Sequence, residues 1–224
     1  MTSYDTGGSE TAHMASMVPR DRVVPHPHTA PVLDVDDFWT LVEGSATVTG
    51  QPDERLARLT DRLAGRTPAE VVDFALRLDE VRRRADTWRL WAAASRICDG
   101  HCSDDGFHYF QVWLVGLGRE TFDRVVADPD TLADVPQVRR LAGRSLRDWA
   151  DDEWPDWEGL DYVAGEAYER ITGVDEGLDE AIEARGHERS FSPDPQDEQD
   201  APRDPAEFAR RYPRLAELFP ATGR

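Results

Sequence analysis

The chain has neither lysine nor asparagine among its 224 residues, so all 26 of its basic side chains are arginine. Every cationic contact is therefore a guanidinium, and this uniformity points to a high-GC coding bias rather than to a functional choice of one cation over another. Cysteine is nearly missing: Cys98 and Cys102 are the two present. That excludes a disulfide scaffold, and no charged n-region followed by an apolar h-region precedes them, so reduced thiols in the cytoplasm are the expectation. No apolar run approaches the roughly 18 residues that a spanning helix needs, which argues against a membrane partner. Basic residues are outnumbered by 45 acids, for a formal charge of −19. Affinity for phosphate backbones comes mainly from basic side chains that release counterions, so nucleic acid is an unsuitable partner. The clusters Arg82-Arg83-Arg84 and Arg139-Arg140 are short, lie among acids, and read as solvated, ion-paired helix faces. A phosphate-cradling glycine loop, a nucleophile elbow, a separated metal-ligand motif and a dinucleotide fingerprint are also missing.

What is there suffices for one globular domain. With 39% hydrophobic residues and 7 Trp, a chain of this length can bury a sizeable core. Residues 1–33 are rich in Ser, Thr, Gly, His and Pro without periodicity and read as a mobile arm. Within it, His13-Met-Ala-Ser-Met17 resembles a vector seam, which lowers the weight of His26 and His28. The predicted helical domain covers residues 34–185, an acidic Pro-containing linker 186–203, and a C-terminal helical tail 204–224. In that tail Phe208, Tyr212, Leu215 and Phe219 are spaced to dock on the body.

Between the ends the hydrophobic period is helical throughout, and no strand-like alternation competes. Phe38, Leu41 and Val42 share one side of a first helix, and Leu56, Leu59 and Leu63 repeat in a second. Thr67-Pro68-Ala-Glu70 is the sharpest start signal: Thr67 can cap, Pro68 gives up no needed N–H, and Glu70 can reach back as a capping box. Val71, Phe74, Leu78 and Val81 follow as a stripe, continued by Trp88, Trp91 and Ile97. Cys98-Asp-Gly-His-Cys102 is a tight turn, Ser103 a natural N-cap, and Asp104 and Asp105 fall where the macrodipole favours negative charge. Phe107, Phe110, Leu114 and Leu117 line one face of the next helix, with Tyr109, Trp113 and Gly116 adjoining. A helix so apolar around its girth must be central. Trp88, Trp91, Phe107, Phe110 and Trp113 are expected in one cluster. A last amphipathic helix is predicted over Trp157–Ile171, closed by Gly173. The fold class is all-α, a single compact domain of about six to eight helices.

Several separated segments, in order, are Asp36-Asp-Phe-Trp39 with Leu41 and Glu43, Trp88-Arg-Leu-Trp91-Ala-Ala, and Cys102-Ser-Asp-Asp-Gly-Phe-His-Tyr-Phe110 with Trp113 and Gly118-Arg-Glu120. Asp128-Pro-Asp-Thr-Leu-Ala-Asp134 and Tyr162 with Glu166-Ala-Tyr-Glu169 complete them. Together they resemble the bacterial domain-of-unknown-function family numbered 4240, over about residues 34–175 plus Arg211-Tyr-Pro-Arg-Leu215. Relatives are similar to a region found beside WGR-type modules; no such module is visible here. Three features depart from the family pattern: His108 in place of an acid, Gln111 in place of Arg, and a longer insertion between Asp134 and Trp157. The resemblance implies no established reaction.

Three constellations can carry chemistry. Asp104 and Asp105 with Glu166 and Glu169 can converge as carboxylates for a divalent ion or for acid and base roles, because hard cations want several oxygens; equally, the Asp pair caps a helix and the Glu pair is a solvated face. Cys98, His101 and Cys102 offer three soft ligands, but structural zinc takes four, usually from two knuckles. A nucleophilic Cys102 activated by His101 lacks a third, orienting group. No metal is therefore assigned, and no cofactor is indicated. Trp39, Trp88, Trp91, Tyr109, Trp113 and Tyr162 can line an aromatic pocket flanked by Arg119 and Glu169, or serve as core. Two function classes remain. One is an acidic, non-catalytic module that takes a protein or peptide partner, including a basic one, in an aromatic groove. The other is a small enzyme using Asp104, Asp105 and Glu166 at the mouth of that pocket. The interaction module is preferred.

Overall fold

A computed structural model describes residues 33–46, 52–197 and 201–221. The arm, with its seam and with His26 and His28, lies outside the described residues except for Leu33. Leu33 is buried, and its N–H donates to Asp73 Oδ2 at 3.1 Å.

Seven helices of nine residues or more carry the fold among the described residues: α1 (Val35–Ser45), α2 (Pro52–Ala64), α3 (Pro68–Arg83), α4 (Trp88–Ile97), α5 (Asp104–Gly116), α6 (Arg119–Ala127) and, after the short α7 (Pro136–Leu141), α8 (Val163–Thr172). Shorter pieces follow as α9 (Gly177–Glu183), α10 (Pro205–Arg211) and α11 (Pro213–Leu218), and no strand occurs among the described residues. The class is all-α, and the described residues fall within one compact unit spanning Pro31–Arg224.

Local chemistry starts several of the helices. Thr67 Oγ1 accepts the Glu70 N–H while Glu70 accepts the Thr67 N–H, which completes the capping box of α3. Thr87 caps α4 and Ser103 caps α5, each accepting a backbone N–H three residues on at 3.2 Å. The last long helix differs from the sequence expectation. Residues Glu158–Asp161 form a 3-10 turn, and α8 begins at Val163 rather than near Trp157. Gly159 there lies against α2, where a Cβ would meet Leu56 Cδ1 at 2.4 Å, so tertiary packing shapes this entry. Gly173, at φ 72°, closes α8 in the left-handed region that favours glycine.

The core is aromatic at its centre. Phe38, Phe74, Phe107, Phe110 and Phe122 are all 1% exposed or less. Helix α2 packs most extensively on α8, α3 also packs on α8, and α1 bridges α2, α3 and α5. The C-terminal segment is seated on this body: Phe208, Tyr212 and Leu215 are buried, and Phe219 is partly so. The buried Asp130 carboxylate accepts the N–H groups of Arg214 and Leu215, capping α11 from a distant part of the chain. Tyr212 hydroxyl donates to the Arg89 carbonyl at 3.1 Å.

Candidate functional site

Helix α4 has two functional faces. Leu90, Ala93, Ala94 and Ile97, spaced three and four apart, are buried against the core. Trp88, Trp91, Ala92, Ser95 and Arg96 repeat the same spacing on a second face and line a groove of about 1240 Å³. The loop Gly143–Arg147 forms another part of the wall, and Pro202, Pro205, Phe208, Leu218, Phe219 and Pro220 close it from the C-terminal segment. The turn after α4 also contributes Asp99, Gly100 and His101, with Asp99 and Gly100 at φ 49° and 83°.

The floor is Trp88 and Trp91, the outer end of a run of rings that continues into the core. Trp88 stacks on Trp91 at 5.3 Å between centroids and 5° between planes, and Trp91 stacks on Phe107 at 4.7 Å and 12°. Phe107 meets Phe110, and Phe110 meets Trp113, so the five residues expected to cluster form one continuous series. Its inner members are buried, whereas Trp88, Trp91 and Trp113 keep part of their surface exposed. Trp91 Nε1 donates to the Cys102 carbonyl at 3.1 Å, which orients the ring.

A buried polar layer lies beneath the segment that follows α9. His108 and Asp161 are 1% and 5% exposed, with Nε2 to Oδ2 at 2.7 Å. A carboxylate only accepts, so Nε2 carries the proton. Arg189 donates to the Asp161 carbonyl at 3.1 Å and covers the Phe191 ring at 4.6 Å. Beside this pair, the buried Arg82 donates to Gln111 at 2.7 Å, to Asp79 at 3.0 Å and to the Ser190 carbonyl at 3.0 Å. Gln111 donates in turn to Asp86, whose second oxygen accepts the Asp194 N–H at 2.8 Å. Asp197 accepts the Trp88 N–H at 3.0 Å. Residues 189–197, expected as linker, are thus strapped to α3, α5 and the start of α4; residues 198–200 lie outside the described set. His108 and Gln111 are both members of this layer.

The other candidates are dispersed. Asp104 and Asp105 are exposed in the first turn of α5. Glu166 is exposed on α8, within 3.4 Å of Thr60 Oγ1 and 4.0 Å of Arg170, and Glu169 is exposed on the same helix. None of these acids lines the groove, and among the described residues no group of three or more His, Cys, Asp or Glu is placed to hold a metal ion. Trp39 is a core residue, with Phe38 at 5.2 Å and Phe122 at 5.5 Å. Tyr109 and Tyr162 both donate to Glu158 Oε1, at 3.1 and 3.0 Å, and desolvation with this bond pushes the Tyr109 phenol up to about 12. Arg119 pairs with Asp36 and sends its backbone N–H to Glu43 at 2.9 Å. Cys98 and Cys102 are free thiols pushed by burial up to about 12 and about 11, which leaves them protonated and poorly nucleophilic.

A family model described as "Protein of unknown function (DUF4240)" matches residues 33–170. The chain belongs to this family. Comparison with curated proteins and with solved structures finds no match. The DUF4240 segment runs from Leu33, ahead of α1, into α8. It supplies the ring floor, Arg96 and the Gly143–Arg147 wall, while the closing wall, from Ala201 onward, lies outside it. The sequence expectation missed Arg96, Arg147 and the groove-lining role of Phe208 and Phe219. A signal for Arg96 was present, because it completes the second stripe of α4; Arg147 carries no periodic signal at all.

Proposed function

We propose that this DUF4240 chain is a non-catalytic interaction module that docks a peptide segment of a partner protein in the groove along α4. The observation that carries the reading is the second face of α4, where Trp88 and Trp91, stacked on each other and backed by the buried Phe107, line about 1240 Å³ of open groove. That volume exceeds the roughly 300–1,000 Å³ typical of small-molecule pockets and suits several residues of chain. Trp and Arg on one wall are the side chains that most often dominate binding energy at protein interfaces. Free thiols fit a reducing compartment, the cytoplasm. Among the described residues no helix is long and apolar enough to cross a membrane, and the charge of −19 disfavours nucleic acid. The carboxylate-enzyme alternative has no comparable support, since Asp104 and Asp105 are exposed on α5, Glu166 is exposed on α8, and none of the three lines the groove.

Selection of a random peptide library on the full chain, followed by calorimetry on wild type and Trp88→Ala, tests the reading. Binders are expected to weaken by about 30-fold in Trp88→Ala, the equivalent of a hot-spot loss of about 2 kcal/mol. Circular dichroism would confirm that the variant folds. Failure to enrich any sequence, or binders indifferent to Trp88, would overturn it.

A further inference from the structure

On the reading that the groove is a docking surface, we infer that its partner segment is acidic and carries an aromatic or large apolar side chain. The chain as a whole is strongly acidic, yet the charged side chains lining the groove are Arg96, Arg144 and Arg147 against Asp99 and Asp204. Each of the two acids has contacts within the chain. Asp204 accepts the Glu207 N–H at 2.8 Å as the cap of α10, and Asp99 has a partner of its own. Arg144 is spent on a bidentate grip of Glu153, at 2.6 and 2.8 Å. Arg96 and Arg147 remain.

Arg96 lies over the Phe208 ring at 4.2 Å and, among the described residues, makes no ion pair. That stacking leaves the edge of the guanidinium, where its N–H donors lie, available to a carboxylate. Arg147 is exposed on the wall formed by the Gly143–Arg147 loop and likewise makes no ion pair among the described residues. In a chain with 45 acids for 26 arginines, cationic groups without acid partners among the described residues, at the rim of an aromatic floor, are the complement of a carboxylate-bearing ligand. The floor asks for a ring or a bulky apolar group beside that carboxylate, because Trp88 keeps part of its surface exposed above the stack. A long polyanion is unsuitable, since the surrounding acidic surface repels charge that extends beyond the two arginines. A short acidic-aromatic peptide meets both requirements.

The test uses the full chain and three synthetic peptides that share one aromatic residue and differ in flanks of Asp and Glu, of Gln, or of Arg. Affinities are measured by fluorescence polarisation at low salt and at about 0.3 M salt, for wild type, Arg147→Glu and Trp88→Ala, with adenosine monophosphate as a competitor. The acidic peptide is expected to bind wild type at least about ten-fold tighter than the Gln peptide, to lose affinity with salt, and to yield to the Arg peptide in Arg147→Glu. Equal binding of acidic and Gln peptides that still depends on Trp88 would overturn the charge inference and leave the docking reading in place. Binding of no peptide, or binding insensitive to Trp88, would overturn the docking reading itself. Displacement of the acidic peptide by the mononucleotide, with direct binding of the nucleotide at comparable affinity, would replace the peptide by a small anionic ring compound. Arg147 is exposed in the short 3-10 turn Leu146–Asp148, so the charge reversal leaves the core intact, and a melting curve checks it.

Discussion

Single residues set the helix starts, and Glu70 is the best resolved of them. The backbone N–H of Thr67, then the Arg66 guanidinium and the Thr67 hydroxyl, hold the Glu70 carboxyl down at about 2. A group whose folded pKa is depressed contributes stability that is complete above its ordinary value near 4.5 and is lost as pH falls towards 2. Glu70→Gln is therefore expected to be less stable than wild type at neutral pH, and the difference should close between about pH 4.5 and 2. Urea midpoints across that range would check it; a gap that persists unchanged at pH 2 would show that Glu70 acts other than through its charge. The partner Thr67 belongs to the class of caps whose truncation costs about 0.5–2 kcal/mol. This level was legible in the sequence because a capping box is a local pattern. The His108–Asp161 pair was not, since nothing near either residue in the chain marks the other as its partner.

At the scale of elements, the segment 189–197 couples the buried polar layer to the groove. Asp86 is its hinge point: one oxygen holds Gln111, the other holds the Asp194 N–H, and Asp197 ties the same segment to the Trp88 N–H. Hydrogen bonds to a charged group are worth about 1.5–3 kcal/mol each, so losing Asp86 should release the strap while the apolar contacts of α5 hold. Asp86→Ala is expected to speed amide exchange and tryptic cleavage around Arg189 with little change in α5, and to weaken peptide binding through a less fixed Trp88. Unchanged protection of residues 189–197 would mean that Arg82 and Arg189 suffice without it. Composition is silent on these contacts, because a Pro-containing acidic stretch reads the same whether or not buried arginines await it. Helix existence, by contrast, was readable in α1 to α6 from stripes such as Val71, Phe74, Leu78 and Val81.

The whole molecule carries a charge of −19, and its stability should respond to salt accordingly. Most ion pairs among the described residues have at least one exposed partner, as in Arg119–Asp36 and Arg84–Asp123, and such pairs are worth about 0–1 kcal/mol apiece, so screening them costs little. Repulsion among the excess acids acts over the full surface, and its range shrinks from about 30 Å at 0.01 M to about 10 Å at 0.1 M salt. The melting temperature is therefore expected to rise with sodium chloride. A calorimetric series in which it falls would assign a larger share of the stability to ion pairs than their exposure suggests.

Periodicity and capping by themselves determined that this chain is helical, where most of its helices start and that α5 is central. Each of these properties is decided within a few turns of chain, where a face, a cap or a breaker acts on its own neighbours. Tertiary structure decided which aromatic residues become core and which become surface: Trp39 is sealed between Phe38 and Phe122, whereas Trp88 and Trp91 keep an open side. It also drew Phe208 and Phe219 across to close the groove, left Arg96 and Arg147 without acid partners among the described residues, and spread the expected carboxylate site over separate helices. The physical reason is that burial and ion pairing between distant segments depend on how helices pack, and packing leaves no period in the sequence.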